Sequence, residues 1–397
     1  MAGIRVDELV HCYDDRGRTV VAVDHVGFEV EANEFFTLLG PSGCGKTTTL
    51  RCIAGLEQPT SGTIELGDVQ VYGPRGVVPT HKRDIGMVFQ DYAVWPHMSV
   101  FDNVAFPLQV SGKRLGSAQT RSRVMEALEL VNMAEYAGRQ ATQLSGGQQQ
   151  RLSLARALVR QPKVLLLDEP LSNLDAKLRE QMRKELRMLQ RRIKVTTIFV
   201  THDQIEALSM SNRIAVMNKG VVAQIGSPRS IYQEPASEFV AAFVGATTFI
   251  PGTVVGAGTR PDWQALDTPV GRLQCHCSTP LPVGSAATMA VRPEAISISA
   301  EQSSRPDVNS VEGVVDIGLF VGEAVDYHVY VGDQLTRVKG SPYSRFRRRD
   351  TVFLDFSPEE CVLIPHDADD AGRTGGVAPA SSAGSRQVAL DREVEPA

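Results

Sequence analysis

The chain has 397 residues, a length that suits two or three domains and at least one large core. Hydrophobic residues make up 42% and charged residues 22%, which excludes a disordered, collagenous or membrane-spanning chain. The 41 Lys plus Arg against 46 Asp plus Glu leave a formal net charge of -5, which argues against a protein built to hold nucleic acid.

Cys12, Cys44, Cys52, Cys275, Cys277 and Cys361 are sparse and irregularly spaced, so a reducing compartment is expected rather than a disulfide scaffold. The N-terminal segment carries Arg5, Asp7, Glu8, Asp14 and Asp15 and lacks the apolar run of a signal peptide, so export is not expected. Residues 239–259 are uncharged and long enough to cross a membrane. Pro251 and several glycines interrupt them, which predicts a helix end followed by a strand.

In chain order, EFFTLLG (34–40) reads as a buried strand, and PSGCGKT turns it into a helix with apolar Leu50, Ile53 and Ala54. IGMVF (85–89), VLLL (164–167) and TIFV (197–200) are further buried strands without alternation, the signature of a largely parallel sheet. Between them, residues 100–160 are helical in pattern, with Val124, Leu128 and Val131 on one face, and form an insertion. After Asp175, Leu178, Met182, Leu186, Leu189 and Ile193 mark an amphipathic helix packed on the sheet. Asn218-Lys219-Gly220 is a hairpin turn that closes this domain near residue 225. From about 250 to 365, short strands such as VVDIGLF, AVDYHVYV and TVFLDF predict a small β-barrel-like domain. Residues 366–397 have almost no aliphatic cluster and are expected to be a disordered tail.

Gly40-Pro41-Ser42-Gly43-Cys44-Gly45-Lys46-Thr47 fits the phosphate-binding pattern G-x-x-x-x-G-K-[ST] between a strand and a helix. Glycines let backbone N–H groups converge on phosphate oxygens, Lys46 reaches the terminal phosphates, and Thr47 is suited to ligate Mg²⁺. Asp168 ends a buried strand and can join that Mg²⁺ shell, and Glu169 is the natural base for a hydrolytic water. Taken singly, a glycine turn and a strand exit are the plain structural alternatives to these sites, as a helix start capped by Ser145 is for Leu144-Ser145-Gly146-Gly147-Gln148.

Together with Leu144-Ser145-Gly146-Gly147-Gln148, Gln90, SNLD (172–175) and Thr201-His202-Asp203, the constellation strongly resembles the nucleotide-binding subunit of ABC transporters. The resemblance spans about residues 1–240 and implies an α/β P-loop NTPase fold with a helical subdomain over about 91–160. It implies ATP and Mg²⁺ as ligands, with Gly40 to Thr47 and Thr48 around the phosphates. Tyr13 would stack on adenine. Gln90, Thr47 and Asp168 would serve the metal, and His202 would hold the γ-phosphate near Glu169. Ser145, Gly146, Gly147 and Gln148, with Asp175, would face ATP bound to a second copy, so that two chains sandwich two nucleotides.

The stretch from Gln90 to Asn103 resembles the contact with two transmembrane permease subunits, Tyr92, Trp95, Pro96 and Phe101 forming a groove. An internal aromatic cluster is the alternative. Val291-Arg292-Pro293-Glu294 and GLFVGEAVDYHVYVGDQ resemble the C-terminal OB/TOBE-like barrel of bacterial import ATPases, placed here over 245–365. An importer of polyamine or ferric iron is implied, with sugar or another small solute as the alternative. A solute-binding protein and a place on the cytoplasmic face of the inner membrane come with it. A soluble ABC ATPase of DNA repair or translation would carry a coiled-coil insertion or tandem cassettes, and this sequence shows neither. A second alternative makes the barrel a ligand- or protein-binding regulator with the ATPase as its switch.

Cys275-His276-Cys277 lacks the spacing of a zinc site. Arg345, Arg347, Arg348 and Arg349 read as a solvated loop. Cys44, inside the phosphate loop, is expected to be open to alkylation without being catalytic.

Overall fold

The structure is a computed structural model that describes residues 3–110, 115–277, 279–305 and 307–365; the tail expected over 366–397 lies outside them. The elements run β1 (Ile4–Asp15), β2 (Arg18–Val30), β3 (Phe35–Leu39), α1 (Lys46–Ala54), β4 (Ser61–Leu66), β5 (Val69–Gly73), β6 (Gly76–Val77) and β7 (Ile85–Val88). Helices α2 (Val100–Gln109), α3 (Ser117–Leu130) and α4 (Gly146–Leu158) follow, then β8 (Val164–Asp168), α5 (Ala176–Ile193), β9 (Thr196–Thr201), α6 (Gln204–Met210), β10 (Arg213–Asn218), β11 (Val221–Gly226), α7 (Pro228–Gln233) and α8 (Glu238–Val244).

The central sheet has the order β11-β10-β3-β9-β8-β7 and is parallel except for the β10–β11 hairpin. Its strands alternate between two cores. Phe35, Leu165, Leu167 and Phe199 face α2–α5, whereas Phe36, Leu38, Val164, Leu166, Ile198 and Val200 face α1 and a second sheet. Burial on both faces explains the unbroken aliphatic runs.

That second sheet, antiparallel in the order β2-β1-β4-β5-β6, was not among the expected strands. Its alternation is hard to read because the β1–β2 register shifts between Val6 and Leu9, where Glu8 takes φ 48°. The two-residue period therefore breaks in the middle of β1 and the charged positions look random.

The C-terminal part comprises β12 (Thr248–Ala257), β13 (Trp263–Thr268), β14 (Gly271–His276), β15 (Ala286–Val291), β16 (Ser297–Ser299), β17 (Asn309–Phe320), β18 (Val325–Val331), β19 (Gln334–Gly340), β20 (Thr351–Phe356) and β21 (Cys361–Pro365). They form two five-stranded antiparallel sheets, β14-β13-β12-β15-β21 and β16-β20-β17-β18-β19, around one shared core. Arg292 joins this part to the rest of the chain. Its guanidinium donates to the carbonyls of Tyr232, Ala241, Gly245 and Ala246 and lies 4.2 Å over the Tyr232 ring. Among the described residues no helix is long and apolar enough to cross a membrane. Residues 239–259 divide into α8 and β12, the expected helix end and strand.

Candidate active site

The parallel register brings the chemistry to one edge. Val88 pairs with Leu167, Leu167 with Phe199, and Leu39 with Thr201, so the residues just beyond these strands share the carboxyl side of the sheet. Gly40, Gln90, Glu169 and His202 all leave from there, the side on which open α/β sheets take ligands.

The phosphate loop runs from Gly40 to α1, whose first turn contains Lys46, Thr47 and Thr48. Gly45 caps that helix at φ 101°, and a Cβ there would stand 2.3 Å from the Ala22 carbonyl oxygen, so only glycine fits. Lys46 is buried and its Nζ donates to the carbonyls of Gly40 and Pro41 at 2.8 and 2.9 Å, which places the cation inside the loop. Cys44 is buried rather than open, and burial pushes its thiol above the ordinary range, so the expected alkylation is disfavoured by both access and thiolate supply.

Thr47 Oγ1 donates to Asp168 Oδ1 at 2.9 Å. Burial raises the Asp168 carboxyl, opposed by the Thr47 hydrogen bond and by Arg51 and Lys46. A hydroxyl and a desolvated carboxylate, both hard oxygen donors, fit a small divalent cation. Gln90 stands exposed in the turn after β7, and its carbonyl accepts from Asn173 Nδ2 at 3.1 Å.

Glu169 and His202 meet. His202 Nδ1 lies 3.0 Å from Glu169 Oε2, with the imidazole half exposed and the carboxylate largely buried. Glu169 adopts φ 43°, and its N–H donates to the Val200 carbonyl at 3.1 Å, so the turn aims its side chain across to the end of β9. Ser172 Oγ donates to the Glu169 carbonyl at 2.9 Å.

Tyr13, at the solvent end of β1, is 39% exposed. Its hydroxyl is 3.2 Å from Thr48 Oγ1 and donates to Glu57, and burial followed by that carboxylate raises its pKa. An exposed ring is thus held beside the first turn of α1.

Ser145 caps α4: its Oγ accepts from the Gln148 N–H, and Gln148 Oε1 accepts from the Ser145 N–H at 2.9 Å. This is the Ser145 cap that the plain reading of Leu144–Gln148 anticipated, completed by Gln148 into a capping box, and it leaves the Gly146 and Gly147 N–H groups at the helix start. A Cβ on Gly147 would stand 2.9 Å from Leu178 Cδ2 of α5, whereas one on Gly146 would meet only Leu174 Cδ2 at 3.9 Å. Asp175 caps α5 by accepting from the Leu178 N–H at 2.9 Å.

The aromatic stretch after Gln90 is not an open groove of four rings. Tyr92 is buried, Phe101 packs on the helical core, and Trp95 lies against Phe106 with ring centroids 4.4 Å apart. The internal-cluster alternative accounts for these three. Pro96 and His97 remain exposed.

Two arginines have partners that the sequence did not reveal, Arg179 being expected only on the charged face of the helix after Asp175. Arg156 of α4 is buried, donates to the Tyr92 and Ala93 carbonyls and lies 4.7 Å over Trp95; burial pushes its pKa down to about 10. Arg179 of α5 reaches Asp203, Glu206 and the Leu174 carbonyl. Neither stands in a motif, and charged residues at helical spacing ordinarily face water.

Comparison with known proteins agrees with this geometry. A profile described as ABC transporter matches residues 23–172, and one described as TOBE domain matches residues 289–364. The spermidine/putrescine import ATP-binding protein PotA of Thermobifida fusca is 43% identical over 373 residues, covering 91% of this chain and 93% of the relative. PotA of Acidothermus cellulolyticus is 46% identical over 383 residues, covering 93% and 96%. The trehalose/maltose import ATP-binding protein MalK of Thermococcus litoralis is 45% identical over 370 residues, covering 89% and 95%. Among solved structures, the dimeric ABC transporter cassette MJ0796 superposes with a TM-score of 0.51 at 29% identity over 57% of this chain and 99% of that one. The chain therefore belongs to the ABC transporter family, as an ATP-hydrolysing subunit of its import branch.

Proposed function

We propose that this chain powers polyamine uptake by hydrolysing ATP at the edge where Lys46, Asp168, Glu169 and His202 converge. The observation that carries the chemistry is the 3.0 Å contact of His202 with Glu169, one residue beyond the Asp168–Thr47 pair. Loop N–H groups and Lys46 take the phosphates, and Tyr13 stacks on the base. Thr47, Asp168 and Gln90 would hold Mg²⁺, which when bound neutralises charge on the phosphate oxygens. Glu169 accepts the proton of the attacking water, and His202 orients that carboxylate and the γ-phosphate.

The capped start of α4 and Asp175 face a second copy, so two chains close on two nucleotides and reopen after hydrolysis. The Gln90–Asn103 segment meets two permease subunits at the cytoplasmic face of the inner membrane, and a solute-binding protein delivers the cargo. Polyamine is favoured by the relatives named spermidine/putrescine importers. The trehalose/maltose relative supports sugar as the second reading.

Uptake of labelled putrescine, spermidine, ferric iron and maltose by cells carrying the wild type or Glu169→Gln tests this. Putrescine or spermidine uptake should occur with the wild type and fall at least about 100-fold with Glu169→Gln. Maltose or iron uptake with that dependence replaces the cargo; uptake indifferent to Glu169→Gln overturns the mechanism.

A further inference from the structure

A small chamber of about 20 Å³ lies behind the Glu169–His202 pair, lined by Glu169, Ser172, Arg179, Thr201, His202, Asp203 and Glu206. Its chemistry is organised around the two residues that flank His202. On one side, Thr201 Oγ1 donates to Glu206 Oε2 at 2.6 Å. On the other, the Asp203 N–H donates to Thr201 Oγ1 at 3.0 Å, while Asp203 Oδ1 caps α6 through the Glu206 N–H at 3.0 Å. Among the described residues the cation in ion-pair contact with this carboxylate pair is that of Arg179, with Nη1 3.5 Å from Asp203 Oδ2 and Nε 4.0 Å from Glu206 Oε1, while Arg183 acts on Glu206 from farther off.

The same guanidinium faces the other way as well. Its Nη2 donates to the Leu174 carbonyl at 3.0 Å, one residue before the Asp175 cap. The turn it grips is tied to the site at two more points, through Ser172 to the Glu169 carbonyl and through Asn173 to the Gln90 carbonyl. A planar, multiply donating group can hold two partners in a fixed mutual orientation, which a single-point ammonium cannot.

We propose that Arg179 is a positioning residue: by bracing Asp203 against the Ser172–Asp175 turn it holds His202 in line with Glu169. This rests on the reading of Glu169 and His202 as the hydrolytic pair. It makes the geometry of that pair depend on the turn that contains Asp175. A purely structural role, neutralising the buried Glu206, is the competing account, and the two diverge in kinetics.

The test uses the purified full-length chain, with ATPase rates over a range of ATP concentrations and thermal unfolding of each variant. Arg179→Met should lower kcat about tenfold with KM for ATP within about twofold, because an interaction used in the reaction rather than in binding is lost. Combined with Asp203→Asn, it should be no slower than the slower single variant, since both break one contact. Combined with Glu206→Gln, the tenfold loss should persist; recovery there would show that charge neutralisation was the whole effect and overturn the proposal. Losses that multiply with Asp203→Asn, or a raised KM at unchanged kcat, overturn it too. Should Arg179→Met fail to fold, Arg179→Lys keeps the charge but holds one partner at a time. An approximately threefold drop in kcat is then expected, and wild-type kcat overturns the proposal. A wild-type chain that hydrolyses no ATP, measured before any variant, removes instead the reading of the site on which this rests.

Discussion

Asp168 holds a carboxylate in a place that burial makes unfavourable for charge, and its pKa is raised accordingly. A carboxyl whose folded pKa exceeds its unfolded one stabilises the fold below the unfolded value, and that contribution is lost as pH rises through the folded value. Asp168→Asn removes the penalty while keeping an oxygen for Thr47. The variant should therefore be more stable than the wild type by on the order of 1 kcal/mol near pH 8, the gap closing towards pH 4, and should lose its ATPase activity. Thermal scans across this range check it, and a gap that does not change with pH would refute the assignment. The site gives up stability at this residue for function, and the sequence could reveal the carboxylate but not its desolvation, which depends on neighbours distant in the chain.

At the scale of elements, helix α4 links two surfaces. Its capped start carries Gly146 and Gly147, and ten residues further on Arg156 grips the loop at Tyr92 and Ala93. Gly147→Ala should make the partly exposed Leu178 side chain turn aside, at a cost of about 1 kcal/mol or less, since the new methyl meets its terminal carbons. Gly146→Ala meets only a distant Leu174 methyl and should not destabilise the helix. Loss of ATP-dependent dimerisation in both, by size-exclusion chromatography in a Glu169→Gln background, would then mark the exposed helix start as a contact in its own right. Arg156→Met should leave ATPase of the isolated subunit within about twofold while hydrogen exchange over residues 91–103 rises and uptake falls. Unchanged exchange there would show that Arg156 does not hold the loop.

Over the whole molecule, the phosphate loop, the strands of the parallel sheet, the helical insertion and the β-rich C-terminal part were all legible, because each leaves a local signal. Aliphatic runs mark strands buried on both faces, and glycines mark the loop. What remained hidden needs three dimensions: the first antiparallel sheet, whose register shift in β1 breaks its alternation, and the partners of Arg156, Arg179 and Arg292, which include carbonyls and carboxylates far along the chain. The aromatic loop misled for the opposite reason, since composition shows rings but not which way they turn. Arg292 is the strap between the two halves, and Arg292→Met should cost about 2–4 kcal/mol by taking the guanidinium from the Tyr232 and Ala246 carbonyls and leaving those of Ala241 and Gly245 with Thr247 alone. Limited proteolysis should then cut near residue 246 first, and retention of the wild-type pattern would mean that the apolar contacts suffice.

The alternation of the central sheet between two cores carries one more consequence. Along β8, Val164 and Leu166 face one core while Leu165 and Leu167 face the other, and the next residues are Asp168 and Glu169. Both cores are apolar and would take the exchanged aliphatic side chains, so the cost of a one-residue slip lies in Asp168, whose carboxylate would be carried to the place of Leu167 inside the helical core. The charged end of β8, rather than its aliphatic alternation, therefore sets the register of the strand, and a slip in that direction is penalised as a buried charge before any nucleotide arrives.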